Sequence, residues 1–122
     1  MKLNPYSRGG FTLVEIMIVV SIIGMLSAIA VPNFVRARKT SQTDVCINNL
    51  RQLDSCLQQW ALENNKNNSD APNPGALTAY LRGGVLPTCP VGLLSYNFGL
   101  TIGTAPPVSC PNVLTLPSHA LP

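Results

Sequence analysis

Between Phe11 and Arg36 the sequence carries one charged side chain, Glu15, in an otherwise apolar run. Wound as a helix at about 1.5 Å per residue, positions 11–34 reach about 36 Å, enough to cross a bilayer core of roughly 30 Å. Arg36, Arg38 and Lys39 stop the run at a membrane surface. Lys2 and Arg8 precede it in a stretch without an acid, which holds that end in the cytoplasm by the positive-inside rule. Glu15 is the anomaly. A carboxylate at mid-membrane depth costs roughly 2.5–3.5 kcal/mol on insertion scales, so an acid here is by default a functional group in need of a partner.

The residues around it, Arg8-Gly9-Gly10-Phe11-Thr12-Leu13-Val14-Glu15-Ile16, closely resemble the processing site of type IV prepilins and of the pseudopilins of type II secretion systems. In that family a short basic leader ends in Gly, Phe follows, and Glu stands fifth after the cut. The resemblance therefore implies a leader of residues 1–10, cleavage after Gly10 and N-methylation of Phe11. It also implies a partner for the carboxylate, because the new α-amino group of Phe11 lies at the depth where a neighbouring subunit presents Glu15. Gly24 and Pro32 fall where the family has its helix-loosening residues. A weaker likeness covers Leu50-Arg51-Gln52-Leu53, Trp60-Ala61-Leu62-Glu63, Leu86-Pro87-Thr88-Cys89-Pro90, Cys110 and the ending His119-Ala120-Leu121-Pro122, which together look like a branch of small bacterial pilin-like proteins.

Committing residues 11–34 to a bilayer leaves about 85 residues for one small domain, a marginal core. From Thr40 the pattern turns amphipathic: Cys46, Leu50, Leu53, Leu57 and Trp60 step by four, three, four and three along one helical stripe. Asp44, Asn48, Arg51, Asp54 and Gln58 lie mostly off it, on the wet side. A single helix is thus expected from residue 11 to about 64, ended by the polar stretch Asn64 to Pro72. Asn73 can cap and Pro74 begin a short helix through Leu81, with Gly83-Gly84 terminating it. Leu93 to Phe98 and Pro107 to Cys110 are strand candidates, with Val113 to Leu116 a third. The expected fold is α+β: a long N-terminal helix, transmembrane in its first half and amphipathic in its second. A small, loop-rich antiparallel β layer packs on its C-terminal half in a domain of residues 35–122.

Composition narrows the function. Removing Lys2 and Arg8 with the leader leaves six basic and five acidic residues, a near-neutral chain without the clustered basic face of a nucleic-acid binder. Catalysis finds no constellation. His119, the only histidine, reads as a surface or packing residue, and Asp44, Asp54 and Glu63 as the wet face of a helix. No Asp or Glu follows Asp70; several major pseudopilins hold calcium with acidic residues in that region, so no metal site and no cofactor is expected. Asn67-Asn68-Ser69 matches a sequon and reads as a polar loop.

The four cysteines suit an exported chain, because the periplasm and cell surface are oxidising. Cys46 and Cys56 are separated by about 15 Å of helical rise, beyond the roughly 4.4–6.8 Å that a disulfide spans. Cys89 and Cys110 flank the strand candidates and form the preferred pair; the alternative is a cross-link from Cys46 to one of them.

The resemblance implies a structural subunit of a type IV pilus or type II secretion pseudopilus, and no enzyme. It would span the bacterial inner membrane once before assembly and stand in a periplasmic or cell-surface filament afterwards. Its partners would be its own copies, a prepilin peptidase that also methylates, an assembly ATPase and a platform protein. The competing reading is a secreted or tethered binding domain. A basic start, an apolar stretch and Ala28-Ile29-Ala30 supply the parts of a signal peptide cut before Val31. Glu15 within the apolar flank and the Gly10-Phe11 junction speak against it.

Overall fold

The structure is a computed structural model that describes residues 9–121. Lys2, Arg8 and Pro122 lie outside those residues, as does most of the expected leader. The chain divides into two compact units, one ending at Ala37 and one beginning at Arg38.

Helix α1 runs Leu13–Glu63, with Pro32 inside it. Proline lacks the N–H of a helical bond, yet the helix continues through this position and through Gly24. In the first unit the large apolar side chains from Phe11 to Val35 are exposed, and this part of α1 is long and apolar enough to cross a membrane. Ser21, one of the few hydroxyls here, donates back to the Met17 carbonyl at 2.7 Å, so its donor is satisfied without water.

In the second unit the expected stripe is the core. Cys46, Leu50, Leu53, Leu57 and Trp60 are all buried, joined by Cys56 and Ala61 from the same helix. Against them pack Leu77, Leu81, Cys89, Tyr96, Ile102, Val108 and Cys110. Each fully buried Leu contributes roughly 1.5–3 kcal/mol, and a unit of this size has few others to draw on.

After α1 the chain turns at Asn65, in the left-handed region with φ 50°, and Lys66 N–H closes on the Ala61 carbonyl at 2.8 Å. Helix α2, Pro74–Leu77, starts as expected: Asn73 accepts from the Ala76 N–H at 3.3 Å and Pro74 occupies the first turn. It does not extend to Leu81 as α-helix; Thr78–Tyr80 tighten into a 3-10 turn, and Gly83 and Gly84 follow with positive φ.

The β layer is smaller than expected. Strand β1, Asn97–Phe98, pairs antiparallel with β2, Val108–Ser109, in the register Asn97↔Ser109 and Phe98↔Val108. An isolated bridge joins Thr88 and Ser95. Most of Leu93 to Phe98 is irregular, because Gly92 and Leu93 both take positive φ and turn the chain. The third candidate strand is overturned. Residues 111–115 form consecutive turns, with Thr115 N–H and Leu116 N–H both bonding the Asn112 carbonyl at 3.1 and 2.7 Å. A final 3-10 turn, Pro117–His119, buries His119.

Candidate functional site

The N-terminal segment places Gly10 and Phe11 just before α1, both exposed. Thr12 precedes the first helical residue, Leu13, where the first backbone N–H groups lack intrahelical partners. Thr12 Oγ1 accepts from the Glu15 N–H at 3.2 Å, and Glu15 Oε2 accepts a long bond from the Thr12 N–H at 3.5 Å. The reciprocal pair is a capping box, whose signature is Thr or Ser followed three positions later by Glu. The sequence reading missed this role, although Thr12-Leu13-Val14-Glu15 carries its spacing. An acid in the first turn also sits favourably at the positive end of the helix dipole. Gly24 and Pro32 lie within α1, and a side chain added at Gly24 would meet nothing within 4 Å.

In the second unit Cys89 and Cys110 do come together. Their sulfurs lie 3.6 Å apart, and both are free thiols. They are not alone. Cys46 from α1 and His119 from the final 3-10 turn join them, and the four donor atoms all lie within 4.8 Å of one another. His119 Nδ1 stands 3.9 Å from Cys89 Sγ and 3.8 Å from Cys110 Sγ. All four residues are buried, His119 to 2% exposure. Sequence reasoning took His119 for a surface or packing residue and set Cys46 apart as a core thiol or a rival cross-link.

Two side chains aim donors at these sulfurs. The Tyr96 hydroxyl donates to Cys46 Sγ at 3.5 Å, itself accepting from Asn49 Nδ2 at 3.2 Å. Asn112 Nδ2 donates to Cys89 Sγ at 3.4 Å while bonding the Val91 carbonyl at 2.7 Å. Burial pushes the Cys46 thiol up and the Cys110 thiol up to about 12. Burial acts the same way on Cys89, but hydrogen bonds from Asn112, the Val91 backbone and the neighbouring thiols outweigh it and hold Cys89 below the ordinary thiol value. Cys56 is buried separately, its thiol against the Tyr80 carbonyl at 3.5 Å.

Comparison with known proteins bears on the N-terminal segment. Residues 6–31 match the family described as the prokaryotic N-terminal methylation motif. Over 65 residues the chain is 42% identical to the type IV major pilin protein PilA of Myxococcus xanthus, covering 53% of this chain and 29% of that protein. It is 34% identical over 63 residues to the type II secretion system core protein G of Pectobacterium carotovorum, covering 52% and 40%. It is also 34% identical over 89 residues to the type IV major fimbrial protein FimA of Dichelobacter nodosus, covering 54% and 56%. The chain thus spans from under a third to just over half of these relatives. No solved structure matches it significantly. Residues 6–31 thus carry the prokaryotic N-terminal methylation motif, and over about half its length the chain is similar to type IV pilins and to type II secretion system core proteins.

Proposed function

We propose that this chain is a prepilin whose mature form begins at Phe11 and serves as a structural subunit of a type IV pilus or type II secretion pseudopilus. One observation carries the reading furthest. The second unit closes a core, while the first leaves every large apolar side chain from Phe11 to Val35 exposed. Such a surface is unsuited to water and demands first a bilayer, then the apolar helices of neighbouring copies. The leader stays in the cytoplasm, and a membrane-embedded peptidase cuts after Gly10 and methylates the Phe11 amine. An assembly ATPase working through a platform protein then lifts the subunit from the inner membrane into a filament. A head-to-tail contact that does not close on itself builds a helix of subunits.

In that filament Glu15 meets the Phe11 amine of a neighbour and sets axial register, a use attested for buried polar groups. Gly24 and Pro32 weaken the helical ladder between them and let it extend during packing. Intact mass and N-terminal sequencing of exported protein test the proposal. A methylated Phe11 start is expected, and Gly10→Leu should leave an uncut, membrane-retained precursor, since glycine lets the scissile segment open. A Val31 start would instead identify a secreted domain cut by signal peptidase.

A further inference from the structure

We propose that Cys46, Cys89, Cys110 and His119 form a tetrahedral zinc site that ties α1 to the C-terminal segments of its unit. Four-coordinate structural zinc with three thiolates and one imidazole has Zn–S bonds of about 2.3 Å and a Zn–N bond of about 2.0–2.1 Å, which sets donor separations of about 3.5–3.8 Å along the tetrahedron's edges. The edges from Cys89 to Cys110, Cys110 to His119 and Cys89 to His119 measure 3.6, 3.8 and 3.9 Å. Cys46 Sγ completes the group within 4.8 Å.

A disulfide between Cys89 and Cys110 would use two sulfurs and give no reason for Cys46 and a buried imidazole nitrogen to converge on the same point. A four-ligand ion accounts for all of them. Donor chemistry selects the ion: three soft sulfurs and one imidazole suit zinc, whereas calcium and magnesium require oxygen ligands. The surroundings fit as well. Binding replaces the thiol protons, which pass to solvent, and leaves three thiolates and a divalent ion with a net charge of one negative. The Tyr96 hydroxyl and the Asn112 amide already point donors at Cys46 and Cys89, the outer-shell hydrogen bonds that orient and temper metal thiolates. The ligands come from four separate stretches: α1, the segment after α2, the residue following β2 and the last 3-10 turn. One ion would therefore cross-link a unit whose sheet consists of two-residue strands, as metals do in other small cores.

The test uses the full chain purified in detergent with its thiols left unmodified and no metal added, while a separate portion is thiol-trapped at lysis for disulfide mapping alone. Elemental analysis should find about one zinc per chain, and X-ray absorption of the wild-type protein should count three sulfurs and one nitrogen around it. Cobalt(II), added to the reduced, zinc-stripped chain, should give the intense spectrum of a tetrahedral thiolate complex. Cys46→Ser and His119→Ala should lower retained zinc at least tenfold, His119→Cys should restore it by supplying a fourth sulfur, and Cys56→Ser should leave it unchanged. The wild-type coordination count keeps the result decisive even if a ligand variant misfolds. A Cys89–Cys110 disulfide in the trapped chain, a metal shell built of oxygen, or absence of both zinc and the cobalt spectrum would each overturn the site.

Discussion

Thr12 and Glu15 hold each other across the first turn of α1, hydroxyl to backbone N–H and carboxylate to backbone N–H. The acid that the apolar run leaves stranded thus has a partner inside its own subunit. That bond engages Oε2, and among the described residues the other oxygen is left for a second donor. Cleavage after Gly10 would place an amine at Phe11, adjacent to the Thr12 N–H that already binds this carboxylate. Capping and intersubunit pairing are therefore compatible in one side chain.

The two roles separate by substitution. Glu15→Gln keeps a side chain able to cap and loses the charge, whereas Glu15→Leu loses both. Both variants are expected to be cut and methylated normally, and both to abolish filament growth, scored by the yield of sheared fibres. Fibres from Glu15→Gln at wild-type level would show that capping, not charge pairing, is what the glutamate supplies.

Leu57 is fully buried on the helix stripe. Its truncation to Ala removes contacts on all sides and leaves a cavity, so Leu57→Ala should destabilise the protein by about 2–5 kcal/mol. Chemical denaturation followed by Trp60 fluorescence measures this, because Trp60 lies in the same core. A loss below about 1 kcal/mol would mean that the stripe does not anchor the unit.

Gly103 permits a close approach between two loops. Its N–H bonds the Asn68 carbonyl at 2.8 Å, and a Cβ added there would lie 2.9 Å from Asn68 Cβ and 3.1 Å from that carbonyl oxygen. Gly103→Ala should cost about 1–3 kcal/mol through the enforced separation. Faster exchange of the Gly103 and Ile102 amides, the latter bonded to Asp70, would report the loops parting, and unchanged exchange would refute the contact.

The Tyr80 hydroxyl donates to Glu63 Oε2 at 2.6 Å, and Gln59 donates to the other oxygen at 3.2 Å. Tyr80 first and Gln59 second hold the Glu63 carboxyl below its usual range, and Glu63 holds the tyrosine hydroxyl above its own. A depressed carboxylate contributes stability that is present above the unfolded glutamate value, about 4.3, and lost as pH falls through the folded one. A raised tyrosine contributes stability present below about 10 and lost as pH rises through its folded value. The pair is therefore worth most between those limits. Tyr80→Phe should move the Glu63 titration upward by NMR; an unmoved midpoint would dismiss the bond.

Much of this architecture was legible because it rests on periodicity. The step from Cys46 to Trp60 identified the buried face of α1, and Asn73-Pro74 identified the start of α2. What escaped depends on contacts between distant residues or on a competing reading. The capping role of Glu15 was hidden behind the cost of an acid in an apolar run. Val113 to Leu116 read as a strand from side chains alone, but Pro111 lacks an N–H and the Asn112 carbonyl draws in two later N–H groups. Leu114, within that strand candidate, is 92% exposed. The cluster of Cys46, Cys89, Cys110 and His119 has no short-range signature, since its members fall on four separate stretches of chain rather than on the paired knuckles that make zinc motifs recognisable.

Strands β1 and β2 are each two residues long, shorter than the usual strand of five or six. Another chain needs a row of unpaired backbone groups to align against, and such stubs offer none. Among the described residues, growth by strand addition, the route of amyloid fibres and of donor-strand assemblies, finds little edge to align against. The filament proposed above would then draw its cohesion from helices. In such a filament the residues after α1 would be relieved of holding the fibre together and free to diversify.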